Sequence, residues 1–542
     1  MLGGSRGLLL RLPACRQAAR AIQSAALPTA ADQPREQRRD WRDRSGGRGG
    51  GRGGGVDWRS ASRGPSGGSR RPPSPGDGSG RDPDVDFALR IPEATDPAAS
   101  AALTAAAAAA GIPTAFLRRG RARLFREGAP IVYAGSVDRL EGEQTVSKSS
   151  LHPGSAVAVA DAGGAVFGWG WWNGASAFRI RVAALAGEAA TVPFDTPALI
   201  AARIASAAAS RAALGLGGAG SSTDVYRLIN SEGDRLSGLV VDRLGGVLVV
   251  SASAAWVVFH RPAVEAACRA AVPEATALIW TTAMLREEGI DGAGSDSDDS
   301  DEEGEAPGVV PPAPTIVTEH GLRFTTTPGV GQKTGFYADQ RESRALVAGG
   351  GLVAPGDKVL DVCTFSGGFA IAAARAGAAR VVGVDSSAPA LTAAAANAAL
   401  NGVAGVTEWV KSDALAFMKG VVAAGGDQKL FNLVVLDPPK FAPTKASLGP
   451  ALRKYRTLNA AAMRCVTDGG LLMTCSCSGA VAQAPGGGVF LPMLRAAAAD
   501  AGVRLAVLRV AGAGPDHPVD PAHQEGAYLT NVLVRVERAG RV

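Results

Sequence analysis

A chain of 542 residues exceeds one ordinary domain, and a hydrophobic content of 46% is enough for real cores. The net charge of +6 belongs to the start of the chain: residues 1–71 hold fifteen arginines, no lysine and five acids, so the remainder is net negative and the basic pI is weak grounds for nucleic-acid binding there. Six scattered cysteines exclude a disulfide framework, an isolated Cys475-x-Cys477 is a poor metal site, and no apolar run reaches membrane-spanning length; a reducing compartment, no metal and no membrane are expected.

Residues 1–31 carry Arg6, Arg11, Arg16 and Arg20 among apolar residues, with no acid before Asp32. That is the composition of an organellar transit peptide, for chloroplast or mitochondrion; without that role the protein would be cytoplasmic. Residues 35–85 are rich in Arg, Gly, Ser and Pro and cannot bury a core, which suits a linker or a non-specific RNA-binding arm. The alanine run 98–110 predicts a short helix or spacer, and 1–111 is read as a leader.

Short apolar runs at 131–133, 156–159, 167–169 and 178–182, separated by glycine turns, predict a small β-barrel over 112–190. Arg118 and Arg121, with Arg119, Arg123 and Arg126, precede it, and Trp169, Trp171 and Trp172 lie within it. Basic residues beside aromatics could hold RNA phosphates and bases, or could be a solvated rim around a barrel core. A helical connector follows over 191–220. A mixed α/β unit spans 221–323, interrupted at 291–315 by an acidic, Ser/Pro/Gly-rich insertion with no capacity to fold.

Residues 324–542 read as an α/β domain with a parallel sheet. Apolar runs at 359–362, 381–384, 431–436 and 471–474, with helical segments between, are buried strands; a further strand is expected near 406–410, and 504–510 with 528–536 suits an antiparallel closing pair. Gly377 and Asn401-Gly402 are helix stops. In open sheets of this kind ligands bind beyond the carboxyl ends of the strands. Glycines after the first strand (Gly367, Gly368) let backbone approach a ligand, and Asp385, ending the second, can accept both ribose hydroxyls. Any adenosine cofactor would fit so far, nicotinamide included. The loop is not G-x-G-x-x-G, however, and Asp437-Pro438-Pro439-Lys440 follows the fourth strand, where a rigid backbone and an acid meet a planar substrate. Both features point to S-adenosylmethionine.

Gly331-Gln332-Lys333-Thr334-Gly335-Phe336-Tyr337-Ala338-Asp339-Gln340-Arg341, Thr364 to Phe369, Asp437 to Phe441, Ser476-Cys477-Ser478-Gly479, Asp516-His517-Pro518 and Glu525-Gly526-x-Tyr528-Leu529 together resemble RlmI-type ribosomal RNA methyltransferases over roughly 115–542. The resemblance implies a PUA-like RNA-binding barrel, a central α/β domain and a Rossmann-like class I methyltransferase domain with a seven-stranded sheet. It also implies C5 methylation of a cytosine in large-subunit ribosomal RNA or its assembly intermediate; a homodimer is a separate expectation. The family's His-Pro-Trp near the barrel start is Ala129-Pro130-Ile131 here.

C5 of cytosine needs a thiolate on C6 before it can accept a methyl group. Cys477 matches the family cysteine and Cys475 is the second candidate; if the strand persists, both point the same way. Asp437 is the expected partner of the base edge, and Lys440 of phosphate or the loop. Asp361, Thr364, Phe365, Ser366, Gly367, Gly368, Asp385, Ser386, Asp413, Asp437 and Pro438 are expected around the cofactor. Lys333, Tyr337, Gln340, Arg341, Arg344, Pro439, Arg118 and Arg121 are expected on the substrate side, although Gln340, Arg341 and Arg344 could equally brace the domain. Surface or turn roles are expected of His517 and His523, and core positions of Cys363 and Cys465. A guanine N-methyltransferase, or a non-catalytic ribosome-assembly factor keeping the fold, are the alternative readings.

Overall fold

The computed structural model describes residues 96–538 except 143–150, 189–191, 219, 282–284, 291–312, 331–332, 427–429, 443 and 484–487. The leader up to residue 95 and nearly all of the acidic insertion lie outside the described residues.

The first described element corrects the reading of 1–111 as leader throughout. Helix α1 (Pro97–Ala109) starts on an Asp96 cap that accepts the Ala98 N–H at 2.9 Å, and it buries Leu103 and Ala107 in the same core as Trp169 and Trp171. An alanine-rich helix with one leucine per few turns finds its stability by packing, not propensity alone. It packs on β4 and β5 of a six-stranded sheet built from β1 (Thr114–Leu117), β2 (Ile131–Val132), β3 (Val137–Glu141), β4 (Ala156–Ala160), β5 (Val166–Trp172) and β6 (Ile180–Leu185), ordered β2-β6-β5-β4-β1-β3; the short helix α2 (Ala122–Arg126) lies between β1 and β2.

The three tryptophans of β5 are core, which corrects their possible role in holding bases. All are buried: Trp172 lies inside the sheet's own cluster, while the Trp171 ring stacks on Trp256 of the central unit with centroids 4.0 Å apart. Strand alternation divides the run between two cores.

Helix α3 (Thr196–Ala213), capped by Asp195, leads to a four-stranded sheet ordered β10-β9-β8-β7, from β7 (Val225–Asn230), β8 (Leu239–Leu244), β9 (Val247–Ala252) and β10 (Ala277–Thr281). Helices α4 (Ala255–Phe259) and α5 (Arg261–Ala271) connect β9 to β10. The hairpin β11 (Thr315–Glu319) with β12 (Leu322–Thr326) runs across the boundary expected at 323, because its ladder pairs Thr315 with Thr326.

After helix α6 (Arg341–Gly349), the last sheet is laid down as β13 (Lys358–Val362), α7 (Gly368–Arg375), β14 (Arg380–Asp385), α8 (Ala388–Leu400), β15 (Thr407–Lys411), α9 (Ala414–Ala423), β16 (Phe431–Leu436), α10 (Leu448–Cys465) and β17 (Val466–Ser476), then α11 (Gly479–Ala482), α12 (Phe490–Ala501), β18 (Val503–Ala511) and β19 (Thr530–Arg538). The order is β15-β14-β13-β16-β17-β19-β18, parallel through β17, with β19 antiparallel to both neighbours. The chain leaves β13 to one side and returns to its other side at β16. That reversal opens a crevice beyond the carboxyl ends of these two strands, and both motif loops emerge there.

Candidate active site

The loop after β13 is held in an unusual conformation. Cys363, Phe365 and Gly367 have φ of +62°, +49° and +86°, a region costly for the two that carry a Cβ. Asp361 holds the loop against the helix that follows. Its Oδ2 accepts the Thr364 hydroxyl at 2.6 Å and the Ala370 N–H at 2.9 Å, while Oδ1 is buried with no partner among the described residues. Burial pushes this carboxyl up to about 7 despite those bonds. Asp385 at the end of β14 accepts the Phe365 N–H and the Ser387 N–H, both at 2.9 Å, and Ser366 O accepts from Asn397 of α8 at 3.1 Å.

Gly367 serves packing as much as approach to a ligand: a Cβ there would stand 2.8 Å from the Trp409 ring. At Gly368 it would meet the Arg344 side chain at 2.9 Å. Ser386 is exposed, and Asp413 is the cap of α9, accepting the Ala416 N–H at 2.8 Å. Cys363 sits half-buried in this loop instead of in the core, whereas Cys465 is core as expected.

The second group gathers on the neighbouring strand ends. Asp437 follows β16, and its Oδ2 accepts from Gln340 Nε2 at 3.1 Å. Burial and the nearby Asp339 carboxylate push Asp437 up to about 6. Pro438 is buried, and Pro439 and Lys440 are exposed. β17 runs two residues further than expected and ends at Ser476, so Cys477 lies just past the strand and period-two alternation no longer pairs it with Cys475. The Cys477 thiol is half-buried with Sγ 4.0 Å from the Pro438 carbonyl oxygen. Cys475 is fully buried and its Sγ takes the Asn531 amide at 3.1 Å, so the second nucleophile candidate is a packing residue in the sheet interior. The Ser-Cys-Ser turn is pinned from both sides: Ser476 and Ser478 bond the Tyr455 hydroxyl at 3.0 and 3.2 Å, and Ser478 accepts the Ala442 N–H at 3.3 Å.

The segment before α6 closes the crevice. Tyr337 sets its ring edge-on to Phe365 with centroids 5.4 Å apart. Lys333 pairs with buried Asp339, whose Oδ2 also accepts the Tyr528 hydroxyl at 2.7 Å. Arg341 and Arg344 do not belong to a substrate surface. Arg341 is fork-bonded to Asp516 at 2.8 and 2.9 Å and Arg344 to Glu319 at 2.6 Å twice, all four side chains buried, so both guanidiniums are spent inside the protein. His517 is likewise buried beside Asp516, not on the surface. Arg118 and Arg121 are exposed on the turn between β1 and α2. Sequence reasoning missed Asp339, Tyr455 and Asn531 as residues that fix the site; Asp339 was a polar residue inside the 331–341 motif, whereas Tyr455 and Asn531 fall in no motif and gave no signal.

Among the described residues no group of acidic, His and Cys side chains could hold a metal, and no helix is long and apolar enough to cross a membrane. The crevice does suit S-adenosylmethionine: an orphaned buried acceptor on Asp361, a tight glycine-containing loop and a carboxylate on β14 surround it. Residues 235–530 match the family model described as S-adenosylmethionine-dependent methyltransferase, and 116–184 a PUA-like domain. The chain is 32% identical over 426 residues to ribosomal RNA large subunit methyltransferase I of Aeromonas salmonicida, covering 78% of this chain and 98% of that protein. The namesake of Salmonella arizonae is 31% identical with the same coverage. Among solved structures, a methyltransferase complexed with SAH shares the fold at a TM-score of 0.59 and 15% identity, covering 78% of this chain and 99% of that one.

Proposed function

This chain belongs to the S-adenosylmethionine-dependent ribosomal RNA large-subunit methyltransferases of type I, and on that premise we propose that it methylates C5 of a cytosine in large-subunit ribosomal RNA through a transient bond from Cys477 to C6. The observation that carries this reading is a half-buried thiol just beyond β17, within 4.0 Å of the Asp-Pro-Pro backbone, where β13 and β16 also end.

The Cys477 thiolate adds to C6 while protonated Asp437 donates to N3, which turns the C5–C6 double bond into an enamine with C5 nucleophilic. S-adenosylmethionine, when bound, supplies the electrophilic methyl group that C5 takes up. The C5 proton then leaves to water, the C6–S bond breaks, and the N3 proton returns to Asp437. An Asp437 carboxyl raised to about 6 is suited to carrying that proton near neutrality. Asp361, Asp385 and the 364–368 loop would hold the cofactor, and Gln340 would orient Asp437. A stacked or paired cytosine has to be extruded first, or taken from a loop.

Bisulfite sequencing of ribosomal RNA from cells with and without the protein is expected to show one cytosine losing protection. RNA carrying 5-fluorocytidine should trap a covalent adduct on Cys477. Methylation that survives removal of this sulfur would instead indicate transfer to a guanine nitrogen, and absence of cofactor binding in calorimetry would return the chain to a non-catalytic assembly role. The acid-free, arginine-bearing residues 1–31 support import into an organelle, to be tested by fusing 1–111 to a fluorescent reporter. Edge strand β18, with Val507, Leu508 and Val510 exposed, supports a homodimer, to be tested by light scattering.

A further inference from the structure

The stretch that follows Asp437 is charged in one sense only. Pro438 to Thr467 contains six basic residues (Lys440, Lys445, Arg453, Lys454, Arg456 and Arg464) and no acid, in a chain that is net negative beyond residue 71. Helix α10 sorts its charges by face. Arg456 forks onto Asp500 of α12 with two bonds of 2.6 Å, and Arg464 bonds the Asp500 carbonyl oxygen. Lys440, Arg453 and Lys454 are exposed, and among the described residues none of the three pairs with a carboxylate.

The unspent lysines lie against the candidate active site. The loop bearing Lys440 touches the cysteine turn on both sides of that lysine: the Pro438 carbonyl oxygen is 4.0 Å from Cys477 Sγ, and the Ala442 N–H donates to Ser478 Oγ at 3.3 Å. The Lys454 ammonium stands 5.4 Å from the centroid of the Phe441 ring, which is itself 5.0 Å from that of Tyr455. Tyr455 in turn bonds Ser476 and Ser478, one on each side of Cys477. The helical period explains the division: Tyr455 turns inward to the cysteine turn, and Lys454 and Arg456 project about 100° to either side of it, one toward the Asp-Pro-Pro loop and the other toward α12.

We propose that Lys440 and Lys454 form a phosphate seat on the rim of the crevice, holding the backbone of the RNA strand beside the cytosine that Cys477 attacks. This rests on the reading of the site as acting on an RNA base. Charge complementarity favours RNA as the occupant: cations without carboxylate partners add no ion pair to the fold, whereas a nucleic-acid backbone that neutralises them gains from counterion release.

The test uses the full-length protein and a fluorescein-labelled single-stranded RNA. Lysines are acetylated with an N-hydroxysuccinimide ester in the presence and absence of the RNA, and labelling is read by peptide mass spectrometry. At an RNA concentration about ten times its dissociation constant, Lys440 and Lys454 are expected to react about tenfold more slowly, while Lys419, exposed on α9, keeps its rate. Lys440→Gln with Lys454→Gln is expected to lower the slope of log affinity against log salt by about 1.4. Arg456→Gln, which removes a charge already spent on Asp500, should leave that slope unchanged. Unprotected lysines in a protein that binds the RNA overturn the proposal. Equal protection of Lys419, or an equal loss of slope in Arg456→Gln, also overturns it by reducing the surface to overall charge. Poly-glutamate that protects the two lysines as well as RNA does overturns the assignment to RNA. Where the double variant fails to fold, shown by loss of cofactor binding in calorimetry, protection in the wild type decides alone. Adduct formation on 5-fluorocytidine RNA separates the two layers: protection without an adduct refutes the nucleophile reading and leaves the phosphate seat standing, whereas an adduct with unprotected lysines removes the seat alone.

Discussion

Removing the Cys477 sulfur is expected to lower methylation by about 10³-fold or more while cofactor binding survives, because the covalent step has no substitute. Cys475→Ala is expected to do the reverse: it costs about 1–2 kcal/mol of stability, read by denaturant unfolding, through a small cavity and an Asn531 amide left without its sulfur, and leaves turnover per folded molecule near wild type. One pair of single substitutions therefore tests which sulfur does chemistry. Asp361 gives a second residue-level outcome, from linkage. Its folded value of about 7 lies above the unfolded carboxyl near 3.9, so its contribution to stability is intact below pH 4 and is lost as pH rises through 7. Three units correspond to about 4 kcal/mol at most, an order-of-magnitude figure. Thermal unfolding of Asp361→Asn should accordingly show a larger gain over wild type at pH 8 than at pH 5, with weaker cofactor binding if the orphaned oxygen is a cofactor contact. An equal difference at both pH values would remove the raised carboxyl from the account.

At the scale of elements, the β13–α7 loop depends on β14 having a glycine at the position where an indole of β15 must lie. A Cβ on Gly383 of β14 would stand 2.4 Å from the Trp409 ring of β15, and the same ring lies 2.8 Å from a Cβ on Gly367. Gly383→Ala is expected to destabilise by about 1–3 kcal/mol from overpacking. Trp409→Leu should relieve part of that cost in the double variant, and a double-mutant cycle by denaturant unfolding measures it. The glycines of the loop were legible from the sequence as backbone needing room. What fills that room was not, because Trp409 follows Gly383 by a full helix and strand, and only the parallel register of β14 with β15 puts them opposite.

Over the whole molecule, the four-stranded and seven-stranded sheets are tied together by charged groups that lie far apart in the chain. Arg211 on α3 grips Asp234 at 2.6 Å and the Asp516 carbonyl at 2.8 Å, and Asp516 also takes Arg341 and the Arg227 N–H. The arginines of the domain junction are thereby withdrawn from the surface, whereas Arg118 and Arg121 beside the six-stranded sheet stay exposed, and contact of this pair with RNA is a proposal that salt dependence can test. Replacing both by Ala is expected to lower the slope of log affinity for single-stranded RNA against log salt by about 1.4, at about 0.7 for each phosphate no longer neutralised, in a fluorescence titration across salt concentrations. An unchanged slope would move the RNA path off this turn.

Local chemistry was enough to announce the α/β order of the last domain, its glycine loop and the Asp-Pro-Pro-Lys turn, since each is a short run whose spacing carries its own physical reason; it left Cys475 and Cys477 both open, and the family resemblance alone favoured Cys477. Where a side chain spends its charge is a different matter. Arg341 and Arg344 read the same as Arg118 and Arg121 until folding brings Asp516 and Glu319 to the first pair and leaves the second in solvent. The two cysteines of one motif parted for the same kind of reason: β17 ends between them, and the termination of a ladder is set by the partner strand β19, which pairs Ser476 with Thr530 and goes no further. Composition and spacing determined what chemistry this chain carries; burial and long-range pairing, which reach across 305 positions between Arg211 and Asp516, decided which of its groups are free to perform it.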